Sequence, residues 1–228
     1  LEKMQVIEYA DVAEEINLSF DESTTLPSGK SILNIENYEV VIDNKLLSTN
    51  INVKVKGQEH ITIIGPNGVG KSTLLKHILN ILKLTSNISV GYMPQNYDDM
   101  QNDDKTPVEY LQQYLGYDKQ MQSKIMTCLG ALNFVEYEMK NSVKELSGGQ
   151  KAKLFLLQLV LNKNNVLVLD EPTRNLSPLS NPVIRNILKS FKGTIVSVSH
   201  DRKYIFDVST RVYELNRNGL KKFNLIES

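Results

Sequence analysis

The sequence has one cysteine and no excess of either charge sign. We expect Cys128, which lies in a segment with a helical pattern, to be a small buried apolar side chain in a reducing compartment, since the sequence places no base beside it for catalysis. The 26 Lys and Arg residues balance the 26 Asp and Glu residues. Bulk charge therefore gives no support for non-specific binding to nucleic acid, and no long run of like charges indicates a local basic patch.

Long apolar runs are also missing from the chain. No run approaches the ~18 residues that a membrane-spanning helix needs, and the N-terminus has none of the features of a secretory signal peptide. We therefore expect a cytoplasmic protein without direct membrane insertion, which would reach a membrane only through a partner. The sequence starts at Leu1 rather than methionine, and this start suggests a piece of a longer protein, although Met4 could be a trimmed start.

Strand patterns and helix patterns alternate along the chain. The segments SILNIENYEVVI and NINVKV alternate apolar and polar residues, which predicts half-buried antiparallel strands. The later runs HITIIG, NVLVLD and TIVSVS are short and apolar, as buried parallel strands are. Helical patterns follow these runs, so we predict an α/β fold with a mostly parallel sheet that is covered on both faces.

Residues 96–144 have a different character and are predicted to be a helical insertion into the α/β core. A polar, acidic loop opens the insertion. Thr106 and Glu109 then form a capping-box pattern, with proline at the first helical position. Apolar residues at helical spacing from Met121 to Leu132 predict a second helix.

The stretch GPNGVGKST fits the phosphate-binding pattern G-x-x-x-x-G-K-[ST], also called Walker A, and it joins a predicted strand to a predicted helix. Glycines let the backbone curl around phosphates, and the helix N-terminus adds a positive field. We expect the lysine to reach the β- and γ-phosphates of a nucleotide and the serine hydroxyl to bind Mg²⁺. The predicted nucleotide-binding residues are Gly65, Pro66, Asn67, Gly68, Val69, Gly70, Lys71, Ser72 and Thr73.

Polar side chains at the ends of three other strands complete the predicted site. Asp170 ends the apolar run VLVLD, where a carboxylate is tolerated only if it meets a cation or donors, and we expect it to hold Mg²⁺ together with Ser72. Glu171 is one residue further along the chain, so we expect its side chain to point in a different direction, toward an attacking water. This position suits a base that activates the water. Gln95 and His200 each lie at the end of a further predicted strand, where ligands of open sheets bind. We expect Gln95 to contact Mg²⁺ and water. We expect His200 to bind a γ-phosphate. Taken singly, Glu171 could be a helix-start charge and the other two could be surface residues.

A second phosphate-binding pattern lies in KELSGGQKAK, far from the first. Its serine and glycines precede a predicted helix, whose N-terminus favours an anion. The order GPNGVGKST, Gln95, LSGGQ, VLVLDEPT and His200 resembles the ATP-binding domain of ABC proteins, over nearly the whole chain from about Ser31. LSGGQ is the signature motif of that family.

This resemblance implies a fold and a division of the chain. The fold would be a P-loop NTPase of the RecA-like α/β class, with an N-terminal antiparallel β lobe and an inserted helical subdomain. The implied ABC ATPase domain spans 31–228 and follows a leader at 1–30. Its parts would be the antiparallel β part at 31–60, the catalytic core at 61–95 and 145–228, and the helical subdomain at 96–144.

The resemblance also implies a partner. In ABC proteins two such domains pack head to tail, and each signature binds the ATP that the phosphate loop of the other domain holds. Ser147, Gly148, Gly149 and Gln150 would then contact a γ-phosphate in trans. A lone copy should bind ATP and Mg²⁺ but hydrolyse ATP poorly. The second ABC ATPase domain would come from the same longer chain or from a homodimer.

The stretch GTIVSVSHDRKYIFDVSTRVYEL looks like the ABC-F subfamily, in which Asp-Arg and an aromatic–apolar pair follow the histidine. Here these residues are Asp201, Arg202, Tyr204 and Ile205. ABC-F proteins carry two ATPase domains on one chain and act on the ribosome as translation factors or in antibiotic resistance. The leader LEKMQVIEYADVAEEINLSF resembles the passage from an inter-domain linker. The resemblance thus implies a C-terminal ATPase domain whose ribosome contacts are made through a linker outside this chain.

Two positions depart from the ABC-F pattern. Residues 174–177 read Arg-Asn-Leu-Ser where the subfamily commonly has Asn-His-Leu-Asp, and the surrounding stretch looks like the ribosome-protection branch that confers antibiotic resistance. Losing the final carboxylate of that motif would alter communication between the two ATP sites. The aromatic residue that usually stacks on adenine falls at about Val41 and Ile42. Weaker stacking there would allow other nucleotides to bind.

Two other functions fit the same motifs. The chain could be the ATP-binding subunit of an ABC membrane transporter, docking a membrane partner through the Gln95 loop and the helical subdomain. It could also be a non-hydrolysing clamp in a tandem protein, although intact Asp170, Glu171 and His200 favour hydrolysis.

Overall fold

The computed structural model describes residues 25–97, 100, 102–174, 176, 178 and 180–224. Most of the predicted leader therefore lies outside the described residues, as do positions 175 and 177 of the ABC-F departure. The strands of the described part are β1 (Ser31–Ile42), β2 (Lys45–Lys56), β3 (His60–Ile64), β4 (Val90–Met93), β5 (Val166–Asp170), β6 (Thr194–Val198), β7 (Arg211–Asn216) and β8 (Gly219–Phe223). Its α-helices are α1 (Lys71–Leu84), α2 (Pro107–Leu115), α3 (Lys119–Ala131), α4 (Glu136–Lys140), α5 (Gly148–Leu161), α6 (Ser180–Ser190) and α7 (Arg202–Val208).

Six strands form one sheet in the order β4-β5-β6-β3-β7-β8. The pairs from β4 to β7 are parallel, whereas β7 and β8 pair antiparallel. Every residue of β5 and β6 is buried, which explains why these strands are continuous apolar runs rather than alternating ones. The predicted mostly parallel sheet is confirmed.

Strands β1 and β2 form a separate antiparallel pair, as the alternation of their residues predicted. Asp43 and Asn44 connect the two strands, with φ values of 49° and 60°, and this left-handed conformation is typical of a two-residue hairpin turn. The hairpin is fastened to the turn between β7 and β8, because the Ser48 hydroxyl donates a 2.6 Å hydrogen bond to the carbonyl of Asn216.

The hairpin, the six-stranded sheet, α1 and α7 belong to one compact unit, which comprises residues 25–93, Asn164–Pro172 and residues 192–224. Its core joins apolar side chains from β1, β2, β3, β5, β6 and α1. The side chains of Leu74, Leu75 and Ile78 of α1 are fully buried, which contributes about 1.5–3 kcal/mol each. Their helical spacing fixes the face that α1 turns to this core.

The segments Pro94–Lys163 and Thr173–Phe191 form a second compact unit, which contains α2 to α6. Helix α2 begins at the predicted capping box. The Thr106 hydroxyl accepts a hydrogen bond from the Glu109 N–H (3.3 Å), and the Glu109 carboxylate accepts one from the Thr106 N–H (2.8 Å). We call this second unit the helical unit.

Helix α3 corresponds to the second helix predicted for the insertion. Ile125, Cys128 and Leu129 are buried along it, and Cys128 is only 3% exposed, so the interpretation of this cysteine as a buried apolar side chain is confirmed. The proposed division into a β lobe, a core and a helical subdomain stays a prediction. Within the described ranges, no helix has both the length and the apolar character needed to cross a bilayer.

The local sequence explains where three elements begin and end. Strand β4 is short and covers Val90–Met93. Helix α6 begins at Ser180 and carries Pro182 in its first turn, where a proline removes no helical hydrogen bond. The N-cap of α7 is Asp201, whose carboxylate accepts hydrogen bonds from two N–H groups of the first turn.

Candidate nucleotide-binding site

Three neighbouring strands, β5, β6 and β3, end at the same edge of the sheet because they run parallel. Asp170 is the last residue of β5 and Glu171 comes next, His200 lies just beyond β6, and Gly65 directly follows β3. Open α/β sheets bind ligands at this edge. The structure thus brings together the predicted phosphate loop, both carboxylates and the histidine.

The phosphate loop depends on two glycines with left-handed φ. Gly70 has φ 98°, and a β-carbon there would lie 2.5 Å from Cγ1 of Val40. Gly65 has φ 147°, and a β-carbon there would lie 2.4 Å from the carbonyl oxygen of Leu215. Any other residue would combine an unfavourable φ with a steric clash. Strands β1 and β7 therefore fix the two ends of the loop.

Lys71, the first residue of α1, holds its ammonium group on this loop. The side chain is 8% exposed, and Nζ donates hydrogen bonds to the carbonyl oxygens of Gly65 (2.8 Å) and Pro66 (2.9 Å). Burial lowers the pKa of Lys71, and the charges of Glu171 and Asp170 oppose that shift. Because the ammonium group is largely removed from water, its attraction to a phosphate is stronger than at the surface.

Glu171 combines a strained backbone with a buried carboxylate. Its φ is 54°, a region that non-glycine residues rarely occupy, and its N–H donates a 2.9 Å hydrogen bond to the carbonyl of Val198. The side chain is 12% exposed, and burial is the main reason that the pKa of its carboxyl group is raised. A carboxylate with a raised pKa takes up a proton more readily, which is the property that a general base needs.

His200 lies beside that carboxylate. Its backbone N–H donates a 3.2 Å hydrogen bond to Oε2 of Glu171, and its Nε2 lies 3.6 Å from Oε1. The flanking residues hold the segment in place, because the Ser199 hydroxyl accepts a hydrogen bond from the Asp201 N–H (3.1 Å) and Asp201 caps α7. The side chain of His200 is 49% exposed, so a ligand at the strand ends can reach the imidazole.

The oxygen donors predicted for Mg²⁺ in this unit are the Ser72 hydroxyl and the Asp170 carboxylate. Ser72 is half-buried in the first turn of α1, and Asp170 is 3% exposed. Mg²⁺ prefers such hard oxygen ligands and usually completes its shell with phosphate oxygens and water. Among the residues that the structure describes, no group of three or more His, Cys, Asp or Glu side chains is arranged to hold a metal. The donor set therefore fits Mg²⁺ that binds together with a nucleotide.

The signature residues and Gln95 belong to the helical unit. Ser147 is the N-cap of α5, where its hydroxyl accepts a hydrogen bond from the Gln150 N–H (3.3 Å) and its own N–H donates to Oε1 of Gln150 (2.7 Å). Ser147 and Gly148 are exposed, and a β-carbon on Gly148 would meet nothing within 4 Å. The start of α5 is therefore open to an anion from solvent. Gln95 is half-buried after β4, and its role with Mg²⁺ stays a prediction.

Sequence reasoning missed a cavity beside the phosphate loop. The cavity has a volume of about 600 Å³ and is lined by residues 45–47, 66–69 and 216–218. These residues come from the β1–β2 hairpin, the phosphate loop and the turn between β7 and β8. The one available signal was the polar NRNG stretch between two predicted strands, which indicates a turn but not its neighbours.

Several known proteins are similar in sequence to this chain. A protein-family model described as ABC transporter matches residues 48–174. The putative ATP-binding protein YdiF of Bacillus subtilis is 35% identical over 98% of this chain and 35% of its own length. The ABC transporter F family member 2 of Arabidopsis thaliana is 33% identical over 98% of this chain and 34% of its own length. The ribosome protection protein VmlR of Bacillus subtilis is 29% identical over 92% of this chain and 39% of its own length. The chain thus spans little more than a third of these relatives.

A solved structure is also similar. The ATP-binding cassette MJ0796, in a dimeric post-hydrolysis state bound to ADP and Pi, has a TM-score of 0.66 and 21% sequence identity, with 84% of this chain and 97% of that chain covered. At this level of identity the likeness concerns the fold alone. The fold is that of an ATP-binding cassette, a P-loop NTPase, as the sequence predicted.

Proposed function

Because this chain belongs to the ABC transporter family as an ATP-binding domain, we propose that it binds and hydrolyses ATP with Mg²⁺ at the carboxyl ends of β3, β5 and β6. The observation that supports this most strongly is the position of Glu171. Its buried carboxylate with a raised pKa lies beside His200 and within electrostatic reach of Lys71. A base, a phosphate-binding cation and a phosphate loop therefore converge within one compact unit.

Each side chain has a distinct role in the proposed reaction. The amides of the phosphate loop and the Lys71 ammonium bind the β- and γ-phosphates, while Ser72 and Asp170 hold the cation, which neutralises developing phosphate charge. Glu171 orients a water molecule and accepts its proton as the water oxygen attacks the γ-phosphorus. The bond from the γ-phosphorus to the bridging oxygen breaks in the same step, and ADP leaves. His200, whose backbone N–H also holds the Glu171 carboxylate, donates a hydrogen bond to the γ-phosphate.

The signature residues act on a nucleotide bound by another domain. The exposed start of α5 offers the Ser147 hydroxyl and the N–H groups of Gly148 and Gly149 to an anion. We place this surface against the γ-phosphate held by a second ABC ATPase domain. ATP would then join the two domains, and hydrolysis would release them, because the closed state binds ATP better than ADP.

The parent protein is proposed to be of the ABC-F type and to act on the ribosome, either as a translation factor or in ribosome protection against antibiotics. Support comes from the F family member of Arabidopsis thaliana and the ribosome protection protein VmlR, which align with nearly the whole chain. In the proposed arrangement this chain is the C-terminal ATPase domain. The balance of 26 basic and 26 acidic residues fits a domain whose partner makes most contacts to RNA.

Cell fractionation tests this proposal. An antibody raised against the chain is used to probe fractions of native cells, with and without a block of ATP hydrolysis. We expect a band at about twice the size of this chain or larger, which sediments with ribosomes when hydrolysis is blocked. A band near the size of this chain in the membrane fraction would instead identify a transporter subunit.

A further inference from the structure

Glu138 joins helix α4 to the signature at the start of α5, and the hydrolysis described above gives it no part. Oε2 of Glu138 accepts a 2.9 Å hydrogen bond from the Val135 N–H, which caps α4. Oε1 accepts a hydrogen bond from Nε2 of Gln150. Glu138 and Gln150 are half-buried, and both belong to the helical unit. The carboxylate therefore connects the first turns of two helices.

This carboxylate fixes the orientation of the Gln150 side-chain amide. An ionised carboxylate only accepts hydrogen bonds, whereas an amide donates from its nitrogen and accepts at its oxygen. Gln150 must therefore turn Nε2 toward Glu138, which directs Oε1 toward Ser147. There Oε1 accepts a 2.7 Å hydrogen bond from the Ser147 N–H. The reverse orientation would leave oxygen against oxygen at Glu138 and N–H against N–H at Ser147, and both hydrogen bonds would be lost.

The contact between Gln150 and Ser147 orients the signature groups that face solvent. The Ser147 hydroxyl accepts a 3.3 Å hydrogen bond from the Gln150 N–H, so its own proton can point away from the helix toward an anion. The bond from the Ser147 N–H to Oε1 of Gln150 holds the backbone of the same turn. Losing that bond would loosen the turn that carries both the hydroxyl and the N–H group of Gly148.

A cation lies beside both positions of the pair. Lys153 follows Gln150 by three residues on α5, so the two side chains share a face of the helix. Its Nζ donates a 2.9 Å hydrogen bond to the carbonyl of Leu132. Burial lowers the pKa of Lys153, and the charge of Glu138 opposes that shift. One carboxylate, at either position 138 or position 150, therefore has a cation nearby.

We propose that Glu138 is a positioning residue for the signature and that, through Gln150, it holds the Ser147 hydroxyl in the orientation that binds a partner's γ-phosphate. The inference rests on the proposed role of the signature in trans. The phosphate loop lies in the other compact unit. A change at position 138 should therefore slow hydrolysis by paired domains and leave the binding of nucleotide to the phosphate loop unaltered.

Exchanging the charges of the pair tests the proposal. Glu138→Gln can accept a hydrogen bond on one side only, so either α4 loses its cap or Gln150 turns. Gln150→Glu places two carboxylates against each other. In the double variant, the amide at position 138 donates to the carboxylate at position 150, and that carboxylate still accepts from the Ser147 N–H. The double variant therefore restores every bond of the pair with the donor and acceptor exchanged.

ATP hydrolysis by the full chain with Mg²⁺ is measured at protein concentrations where the specific activity of the wild type still rises with concentration. We expect Glu138→Gln to lower the rate by about threefold and Gln150→Glu to lower it by about tenfold. The double variant should be at least about threefold faster than Gln150→Glu, because the hydrogen bonds return. Independent effects would instead multiply, and the double variant would then be slower than either single variant.

Two controls separate the signature from the rest of the chain. Glu136→Gln changes an exposed glutamate of the same helix, whose carboxylate accepts a hydrogen bond from Lys140 rather than from α5, and it should hydrolyse ATP at the wild-type rate. ADP lacks the γ-phosphate and so reports on the phosphate loop alone. Titration calorimetry should give the same dissociation constant for ADP with Mg²⁺ in the wild type, Glu138→Gln, Gln150→Glu and the double variant.

Three results would overturn the inference. These are a double variant slower than Gln150→Glu, equal losses of rate in Glu138→Gln and Glu136→Gln, and a changed affinity for ADP in the variants of the pair. If the wild type binds ADP but its specific activity never rises with protein concentration, the proposed role of the signature in trans is wrong and the inference falls with it. If that activity does rise and Glu138→Gln matches the wild type, the positioning role alone is wrong.

Discussion

At the scale of single residues, Glu171 carries the chemistry that the proposed function needs. Glu171→Gln removes the base but keeps an oxygen that can accept the hydrogen bond from the His200 N–H. We expect the rate of ATP hydrolysis to fall by about 10²–10⁴-fold, while ATP binding stays within about twofold of the wild type because the proposed role of Glu171 concerns the attacking water rather than the nucleotide.

Single-turnover phosphate release with Mg²⁺ measures the effect of this substitution. Glu39→Gln is the matched control, since Glu39 is an exposed glutamate on β1 in the same compact unit, and it should hydrolyse ATP at the wild-type rate. If Glu171→Gln hydrolyses ATP as fast as the wild type, the role given to this carboxylate is wrong.

The same residue predicts a dependence of stability on pH. Burial raises the pKa of Glu171 above its unfolded value, so the folded state favours the protonated form. Glu171 therefore destabilises the fold as pH rises above the unfolded pKa, and the loss is complete above the folded pKa. Without nucleotide, the gain in stability of Glu171→Gln over the wild type should therefore be larger at pH 8 than at about pH 4, where the carboxyl group is largely protonated in both states.

Urea unfolding at the two pH values measures this difference. The comparison of variant with wild type at each pH removes the contributions of other titrating groups. Glu39→Gln is the control, and its stability relative to the wild type should be the same at both pH values. A gain from Glu171→Gln that is equal at both pH values would show that the carboxyl group titrates normally in the folded protein.

At the scale of elements, the phosphate loop and the hairpin depend on each other through Gly70. In Gly70→Ala the new methyl group meets Val40, which is fully buried, and the residue must keep a φ of 98°. We expect a loss of about 2–4 kcal/mol in the free energy of unfolding, from overpacking and backbone strain together. Gly68→Ala is the control, because it shares a left-handed φ of 78° but its β-carbon would meet nothing within 4 Å.

Chemical denaturation without nucleotide distinguishes these two glycines. Backbone strain alone should lower the free energy of unfolding of Gly68→Ala by about 1–2 kcal/mol. Any larger loss in Gly70→Ala therefore measures the steric contact with β1. If both substitutions destabilise the protein equally, the hairpin does not support the loop.

Local chemistry decides which elements the sequence could predict. The start of α2 was predictable because Thr106, Pro107 and Glu109 satisfy its first turn with their own side chains. The proximity of Asp170 and His200 was predictable because the carboxyl ends of parallel strands lie at the same edge of a sheet. The positive φ of Glu171 was not, since a glutamate adopts it only where the surrounding structure imposes it. The cavity was not predictable either, because it joins segments far apart in sequence.

At the scale of the whole molecule, the proposed function gives this chain two incomplete halves of an ATP site. The phosphate loop lies in one compact unit, and the exposed start of α5 lies in the other. The relatives from Bacillus subtilis and Arabidopsis thaliana are nearly three times as long as the stretch that this chain covers. In the proposed function a partner domain supplies the missing half of each site, and two copies of this chain should be able to supply it to each other.

Mixing two inactive variants tests whether the halves work in trans. Lys71→Ala removes the phosphate-binding cation, and Gly148→Asp adds a negative charge where the partner's γ-phosphate should lie. The Gly148→Asp side chain has open space and suits a helix start, so the fold should be kept. Each variant alone should be inactive, because every paired site in its homodimer contains one defect. In the mixture, one site of each heterodimer joins an intact loop to an intact signature.

The expected result is a return of ATP hydrolysis to about a quarter of the wild-type rate, since random pairing makes half of the dimers mixed and each mixed dimer has one good site. The assay is run at protein concentrations where the specific activity of the wild type still rises with concentration, which confirms that pairing limits the rate. Lys71→Ala mixed with a double variant that carries both changes is the control and should stay inactive. If the first mixture is also inactive, or if Gly148→Asp alone hydrolyses ATP normally, the signature does not serve a partner's nucleotide.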